Sequence, residues 1–345
     1  FLSVLALLLL IVQGSYAQKK FSAYGVAFYN QENLFDTCHD EGKNDYAFLP
    51  NGSYRWNGLK YKNKLHNMAR ALADLGTDVL PGVGCAVIGL SEVENNKVLD
   101  ALVAQPELAA RGYKYCHVEG PDKRGIDCAL LYNPALFSVR DVKLVPYVYD
   151  LPKDSARATR GFLTVSGTMA GEHLTVVVCH WPSRGASSHY REIAGTQVKA
   201  VKDSLLRDDP NCKVMVMGDM NDDPTNKSMT DCLSCKSEID QVGPDNMYNP
   251  WHNILAKEGR GTLAYGGSWN LFDQIVMTPN LLNKKGQKDY STLKFWKHHI
   301  FMRPYLIQNE GKYKGTPKRT TAGGVGLNGF SDHLPVVLYL LKEQK

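Results

Sequence analysis

No repeat, low-complexity tract or linker interrupts the 345-residue chain after residue 20. Nothing therefore marks a hinge between two halves, although length alone would allow two domains. Lys and Arg nowhere form the dense run that would mark a nucleic-acid groove. The short stretch Lys62, Asn63 and Lys64 falls on an expected helix and reads as a solvated face. Neither sign of charge is in large excess. Forty basic and 35 acidic side chains leave +5, which allows a polyanionic partner without demanding one. With 43% hydrophobic and 22% charged residues, wholesale disorder, collagen and coiled coil are excluded.

Long hydrophobic runs are also missing. The one candidate, Phe1 to Val12, is too short to span a bilayer. Ser15 and Ala17 follow it at the spacing of an export cleavage site, and the segment resembles a secretory signal peptide. No Cys stands at that site, which speaks against a lipoprotein. Residues 1–17 are set aside on this reading. Residues 18–345 are expected to be exported, to the periplasm or the medium, without a stable membrane anchor. Eight cysteines could pair in such a compartment. Cys85, Cys128 and Cys179 instead lie in apolar runs, where a thiol behaves as a small hydrophobe. Cys232 and Cys235 form one C-x-x-C with no second pair and no nearby His pair, so a structural zinc site is not expected. A local disulfide and two free thiols both stay open there.

What is present is a series of short β-rich runs. Strands are expected at Tyr24–Tyr29, Cys85–Leu90, Asp127–Tyr132, Phe162–Ser166, Leu174–Cys179, Lys213–Met217, Phe272–Met277 and Leu334–Leu341. Several are apolar at consecutive positions, so both faces should be covered. Leu65, Met68, Ala69, Leu72 and Leu75 recur at helical spacing and predict a helix over Lys60–Leu75. Val98, Leu99 and Leu102 suggest a second, and Ser187 to Leu206 a third. The polar segment from Pro224 to Trp269 reads as loops on the core.

Polar residues gather at strand ends. Asn30, Ser91-Glu92, His180 and Asp219-Met220-Asn221 follow strands, whereas Asp273 and Ser331-Asp332-His333 precede them. One site can collect all six groups only if some strands run toward it and others away. The sheets must then be mixed, which excludes a purely parallel doubly wound fold. Glu92, Asp219 and Asp332, with amides from Asn30 and Asn221, form an all-oxygen set suited to Mg²⁺, with Mn²⁺ or Ca²⁺ as alternatives. His180 and His333 add a general base and a donor to a charged oxygen. Such a set suits water attacking a phosphate ester.

Asn30, Glu92, HWPS at His180–Ser183, GDMN around Asp219, DQI at Asp273 and SDHLP at Asp332-His333 together resemble the endonuclease/exonuclease/phosphatase superfamily, which includes pancreatic-type deoxyribonucleases. The resemblance spans Tyr24 to Leu341. It implies one α/β (α+β) domain over 18–345, a four-layer sandwich of two mixed sheets face to face with helices outside. By the same resemblance Glu92 and Asp332 are metal ligands and Asn30 orients metal or phosphate. Asp219 and Asn221 position water and contact the phosphate. His333 is the base, held by Asp273, and His180 stabilises charge on the phosphate. Arg124-Gly125-Ile126-Asp127 resembles the family's R-G-x-D segment, which would let Arg124 meet a phosphate and Asp127 orient His180. Glu94 reads as a solvated neighbour, and Arg160 and Arg184 as solvated.

HWPSR with long loops looks like exported bacterial nucleases. An Mg²⁺-dependent nuclease acting as an endonuclease is therefore expected, with nucleic acid as substrate and no protein partner. Trp56, Trp181, Trp251, Trp269, Tyr248 and Tyr265 could stack on bases, although packing should claim most of them. Two alternatives stand beside this reading. One is a phosphodiesterase or phosphatase for a lipid headgroup or small phosphate ester. The other is a binding protein of the same fold without catalysis.

Overall fold

The computed structural model describes residues 19–149, 159–323 and 325–344. The apolar run at Phe1–Val12 and the cleavage site at Ala17 lie outside the described residues. Strands β1 (Phe21–Leu34), β2 (Cys85–Val93), β3 (Lys114–His117) and β4 (Asp127–Tyr132) belong to one six-stranded sheet. Strands β5 (Phe137–Val145), β6 (Phe162–Met169), β7 (Glu172–His180), β8 (Lys213–Asp219), β9 (Cys235–Lys236) and β10 (Met247–Tyr248) belong to a seven-stranded one. A hairpin, β11 (Leu263–Tyr265) and β12 (Ser268–Asn270), precedes β13 (Asp273–Met277), which joins the larger sheet. Strand β14 (Lys294–Ile300) joins the smaller. A second hairpin, β15 (Thr321–Ala322) and β16 (Val325–Gly326), leads to β17 (Val336–Glu343), the last strand of the smaller sheet.

The smaller sheet runs β14-β17-β1-β2-β4-β3 and the larger β5-β6-β7-β8-β13-β10-β9. Both are mixed. β1 is parallel to β2 and antiparallel to β17, and β7 is parallel to β8, which is antiparallel to β13. The expected sandwich architecture is therefore present.

Consecutive apolar residues reflect burial on both faces. In β8, Met215 and Met217 join the cluster between the sheets, while Val214 and Val216 face the other way. There they pack with Ala194 and Val198 of α4 (Ser188–Asp208). The sheets approach so closely that a Cβ on Gly89 would lie 2.5 Å from the Met217 sulfur. Helix α1 (Gly58–Asp74) starts at Asn57, whose side chain accepts from the Lys60 backbone N–H, and buries Leu65, Met68 and Leu72. Helices α2 (Asn96–Val103) and α3 (Pro106–Ala109) follow β2.

Two expectations change. Residues 224–269 are not loops alone, because β9 and β10 extend the larger sheet and α5 (His252–Glu258) lies within them. Lys64 is not on a solvated face. It is 2% exposed and donates to Thr320 Oγ1 at 2.6 Å and to the Phe330 carbonyl. As expected of most of the candidate aromatics, packing claims Trp56, Trp181 and Trp251, while Tyr265 is an exposed ring on the β11–β12 hairpin. All eight cysteines, Cys232 and Cys235 included, are free thiols. No described helix is long and apolar enough to cross a membrane.

Candidate active site

Register across the larger sheet places three of the expected residues in a row. His180, the last residue of β7, pairs with Asp219 at the end of β8, and Asp219 pairs with Asp273 at the start of β13. The smaller sheet brings Asn30 of β1 beside Ser91 of β2. Ser331 closes the gap between the first and last strands. It donates to the Asn30 carbonyl at 2.7 Å and accepts from the His333 backbone N–H at 3.1 Å.

The side chains converge. Asn30 Nδ2 donates to Asp219 Oδ2 at 2.9 Å and reaches Glu92 Oε1 at 3.5 Å. His180 Nε2 lies 3.7 Å from both Glu92 Oε1 and Asp219 Oδ2. His333 Nε2 is 3.8 Å from Asp219 Oδ2 and 4.0 Å from Asp332 Oδ1. On its other side, His333 Nδ1 is 2.7 Å from Asp273 Oδ2. Asn221 donates from its backbone to Asp219 Oδ1 at 2.9 Å and from its side chain to the Trp181 carbonyl at 3.0 Å.

Backbone irregularity aims two of these groups. Pairing slips between Ser91 and Val93 and again between Asn30 and Leu34, so Glu92 sits on a bulge. Its φ is +60°, and Glu32, Asn33 and Asn221 also have φ near +50°. Such conformations cost non-glycine residues on the order of 1–3 kcal/mol and gather where a site needs them. The turn lets the Asn33 backbone N–H donate to Glu92 Oε2 at 2.9 Å.

Burial sets the electrostatics. It raises Asp219 to about 7, helped by Asp273 and Glu92 and opposed by His333. Burial disfavours charge on His333 too, yet Asp273, then Asp219 and Asp332, outweigh it and hold that pKa well above the ordinary value. His180 is pushed well below, first by burial and then by Arg160 and Arg124. One histidine thus favours a proton and the other refuses it. Asp219 and Glu92 are oxygen donors held together at the cost of like-charge crowding, which a hard divalent cation would relieve. The chemistry of these hard oxygen donors fits Mg²⁺-type ions, with Glu92 and Asp219 on either side of the Asn30 amide and Asp332 reaching the site from the far side of His333, 4.0 Å from its Nε2.

Several residues stand elsewhere than the sequence suggested. Asn30 Oδ1 accepts from the Glu32 backbone N–H at 2.8 Å, so its amide N–H groups, not its oxygen, face the carboxylates. In this arrangement Asn30 meets the two carboxylates as a hydrogen-bond donor. Asp127 accepts from the Gly120 N–H with both oxygens at 3.1 Å and lies 3.4 Å from His117 Nε2. Neither of its oxygens bonds His180, whose Nδ1 is buried without a partner among the described residues. Arg124 is half-exposed at the site's edge, its Nε 4.0 Å from Asp122 Oδ1. Glu94 is 3% exposed and accepts from the Asp36 N–H at 2.7 Å, and burial raises it to about 8. Arg160 is buried, donating to Asp122 Oδ2 at 2.9 Å and to the carbonyls of His180 and Trp181. Arg184 is held by Asp223, Asn270 and the Asn221 carbonyl.

Other contributors had no signal in the sequence. Arg319 Nη2 donates to Asp332 Oδ2 at 2.9 Å. Glu32 accepts from the backbone N–H groups of Thr320 and Thr321, and Lys64 grips Thr320 and Phe330. Together they fasten the segment that carries Arg319. Thr262 bonds the backbones of Asp273 and Leu334, on either side of the His333–Asp273 pair.

The model of the Endonuclease/Exonuclease/phosphatase family matches residues 25–342. No curated protein sequence matches the chain. Among solved structures, an endonuclease/exonuclease/phosphatase family protein from Bacteroides thetaiotaomicron is 16% identical, with TM-score 0.55 over 94% of this chain and 97% of its own. A mannosyl-6-phosphatase from the same organism is also 16% identical, with TM-score 0.55 over 92% of this chain and 99% of its own. D. rerio TDP2 complexed with single strand DNA product is 14% identical, with TM-score 0.53 over 92% and 99%. From its strand order, its site and its match over residues 25–342, the chain belongs to the endonuclease/exonuclease/phosphatase family of phosphoester hydrolases.

Proposed function

We propose that this protein is an exported, Mg²⁺-dependent phosphodiesterase that cleaves nucleic acid, with His333 as the base that activates water. The observation that carries the reading is the His333–Asp273 pair. Its free Nε2 faces Asp219 across 3.8 Å, beside Glu92 and Asn30.

A bound divalent cation would supply charge neutralisation for the phosphoryl oxygens. The remaining steps belong to the chain. Asp273 fixes the His333 tautomer, so that Nε2 can accept a proton from water. Asp219 and Asn221 hold that water toward the phosphorus. His180, kept neutral, offers Nε2 as a donor to the phosphate or its leaving oxygen. Asn30 holds the Asp219 and Glu92 carboxylates in place.

Purified protein incubated with plasmid DNA, RNA, sphingomyelin and sugar phosphates, in Mg²⁺ or EDTA, tests the reading. Mg²⁺-dependent cleavage of DNA or RNA supports it. Turnover confined to the lipid or the sugar phosphate would replace the substrate class, and full activity in EDTA would overturn the metal. Export rests on the apolar run and on the residues at Ser15 and Ala17. Extracytoplasmic protein should have its mature N-terminus at Gln18.

A further inference from the structure

Beside the catalytic residues lies a cavity of about 260 Å³ that the chemistry above does not use. Tyr147, Tyr149 and Tyr190 supply its aromatic walls, Arg160 and Pro182 its inner side, and Lys123 and Arg124 its basic side. The cavity and the catalytic site share one wall. The Trp181 carbonyl accepts from Asn221 Nδ2 at 3.0 Å on the catalytic side and from Arg160 Nη2 at 3.1 Å on the cavity side. Arg160 also donates to the His180 carbonyl at 3.3 Å. The cavity therefore adjoins the catalytic site across the His180–Trp181 backbone, and Arg124, close enough to act on the charge of His180, lines it.

The lining states what would fit. The tyrosines are preset: Tyr147 Oη donates to the Tyr190 carbonyl at 2.8 Å, and Tyr149 meets Tyr190 edge to face with centroids 5.7 Å apart. Ring faces of this kind stack on flat π systems. Of the charges, Asp122 is neutralised by Arg160 at 2.9 Å, whereas Lys123 and Arg124 are exposed. An aromatic wall with a cationic side suits a base whose neighbouring group is anionic. The volume suits one nucleoside, not a length of strand.

We propose that this cavity binds the nucleobase attached to the scissile phosphate, so that the enzyme prefers nucleotidyl esters over phosphate esters lacking a base. The proposal rests on the phosphodiesterase reading and deepens it.

Two measurements keep the two claims apart. The first is calorimetric binding of thymidine monophosphate, methyl phosphate and mannose 6-phosphate, which needs no turnover. The wild type should bind the nucleotide most tightly. Tyr190→Ala should weaken it roughly 5- to 150-fold, the span expected for losing one stacked base, and leave methyl phosphate unchanged. Tyr190→Phe should retain nucleotide binding. Equal binding of all three ligands, an effect of Tyr190→Ala on methyl phosphate as large as on the nucleotide, or tighter binding of the sugar phosphate would overturn the base pocket. The second is hydrolysis of thymidine 5′-p-nitrophenyl phosphate, for which Tyr190→Ala should raise KM and spare kcat. Base-selective binding without any hydrolysis would sink the phosphodiesterase reading and leave the pocket standing. Hydrolysis indifferent to Tyr190 would do the reverse.

Discussion

His333 Nδ1 stands 2.7 Å from Asp273 Oδ2, and the Asp273 side chain is fully buried. A carboxylate so placed can neither turn away nor be solvated, so it both orients the ring and stabilises its charge. Against the opposing effect of burial, Asp273 leads the carboxylates that raise the His333 pKa.

The sign of the pH dependence follows. A base must be neutral to accept a proton, so activity should fall as pH drops through the His333 pKa. The raised pKa puts the acid limb of kcat above pH 6.5, the ordinary histidine value. Asp273→Asn removes the leading stabiliser of the imidazolium. It should lower kcat and also move the acid limb to lower pH. A limb that stays in place in this variant would show that the titrating group is not His333.

Glu92 is aimed by a bulge and anchored by the Asn33 backbone N–H, which a Gln in its place can still meet. Glu92→Gln should therefore fold normally yet lose one of the charges that attract a cation. Even outer-shell changes weaken metal binding about 10- to 100-fold. Activity at low Mg²⁺ should drop by at least about 10², with partial recovery at high Mg²⁺. A Mg²⁺ titration of the variant that overlays the wild type would remove Glu92 from the metal site.

Glu94 gives a stability test away from turnover. Burial, with Asp36, Asp40 and Asp45 adding to it, raises its pKa from 4.5 to about 8. The folded state thus holds a proton that the unfolded state releases. Ionising Glu94 in the folded protein costs stability that accumulates as pH rises from about 4.5 to about 8. Glu94→Gln keeps an oxygen for the Asp36 N–H and escapes that cost. The variant should match the wild type below pH 4.5 and be more stable above pH 8, by on the order of 1–3 kcal/mol. Denaturant melts at pH 4.5 and 8.5 check this, and a difference independent of pH would contradict it.

Arg160→Leu should harm stability more than any exposed arginine does. It leaves Asp122 charged and buried, and frees the carbonyls of His180 and Trp181. Removing one partner of a buried ion pair costs about 3–5 kcal/mol. Thermal unfolding against Arg140→Leu, on exposed surface, measures the contrast, and equal melting temperatures would refute the brace.

What the sequence disclosed and what it hid divide along physical lines. The central strands were legible because runs such as Val176–Cys179 and Val214–Met217 are buried on both faces and hold no polar residue. The edge strands β5 and β14 were not, since Arg140, Lys143, Lys297 and His298 interrupt their apolar pattern on partly solvated surfaces. His180, Asp219, Asp273 and His333 could be picked out because strand ends and motif order point to one edge. The aim of Glu92 could not, because it depends on a pairing slip between strands far apart in sequence. Arg160 and Lys64 read as solvated charges, and nothing in the sequence marked Arg319. Their partners Asp122, Phe330 and Asp332 meet them only after the chain has folded, and no local pattern records that.

The most direct measurement is a four-member kinetic set in Mg²⁺ on a DNA substrate: wild type, Asp273→Asn, His333→Ala and the double variant. General-base catalysis contributes roughly 10²–10⁴, so His333→Ala should lose about that much. If Asp273 acts through His333, adding Asp273→Asn to His333→Ala should cost almost nothing further. Losses that multiply in the double variant would mean that Asp273 has separate work and that the His333–Asp273 pair is not the base.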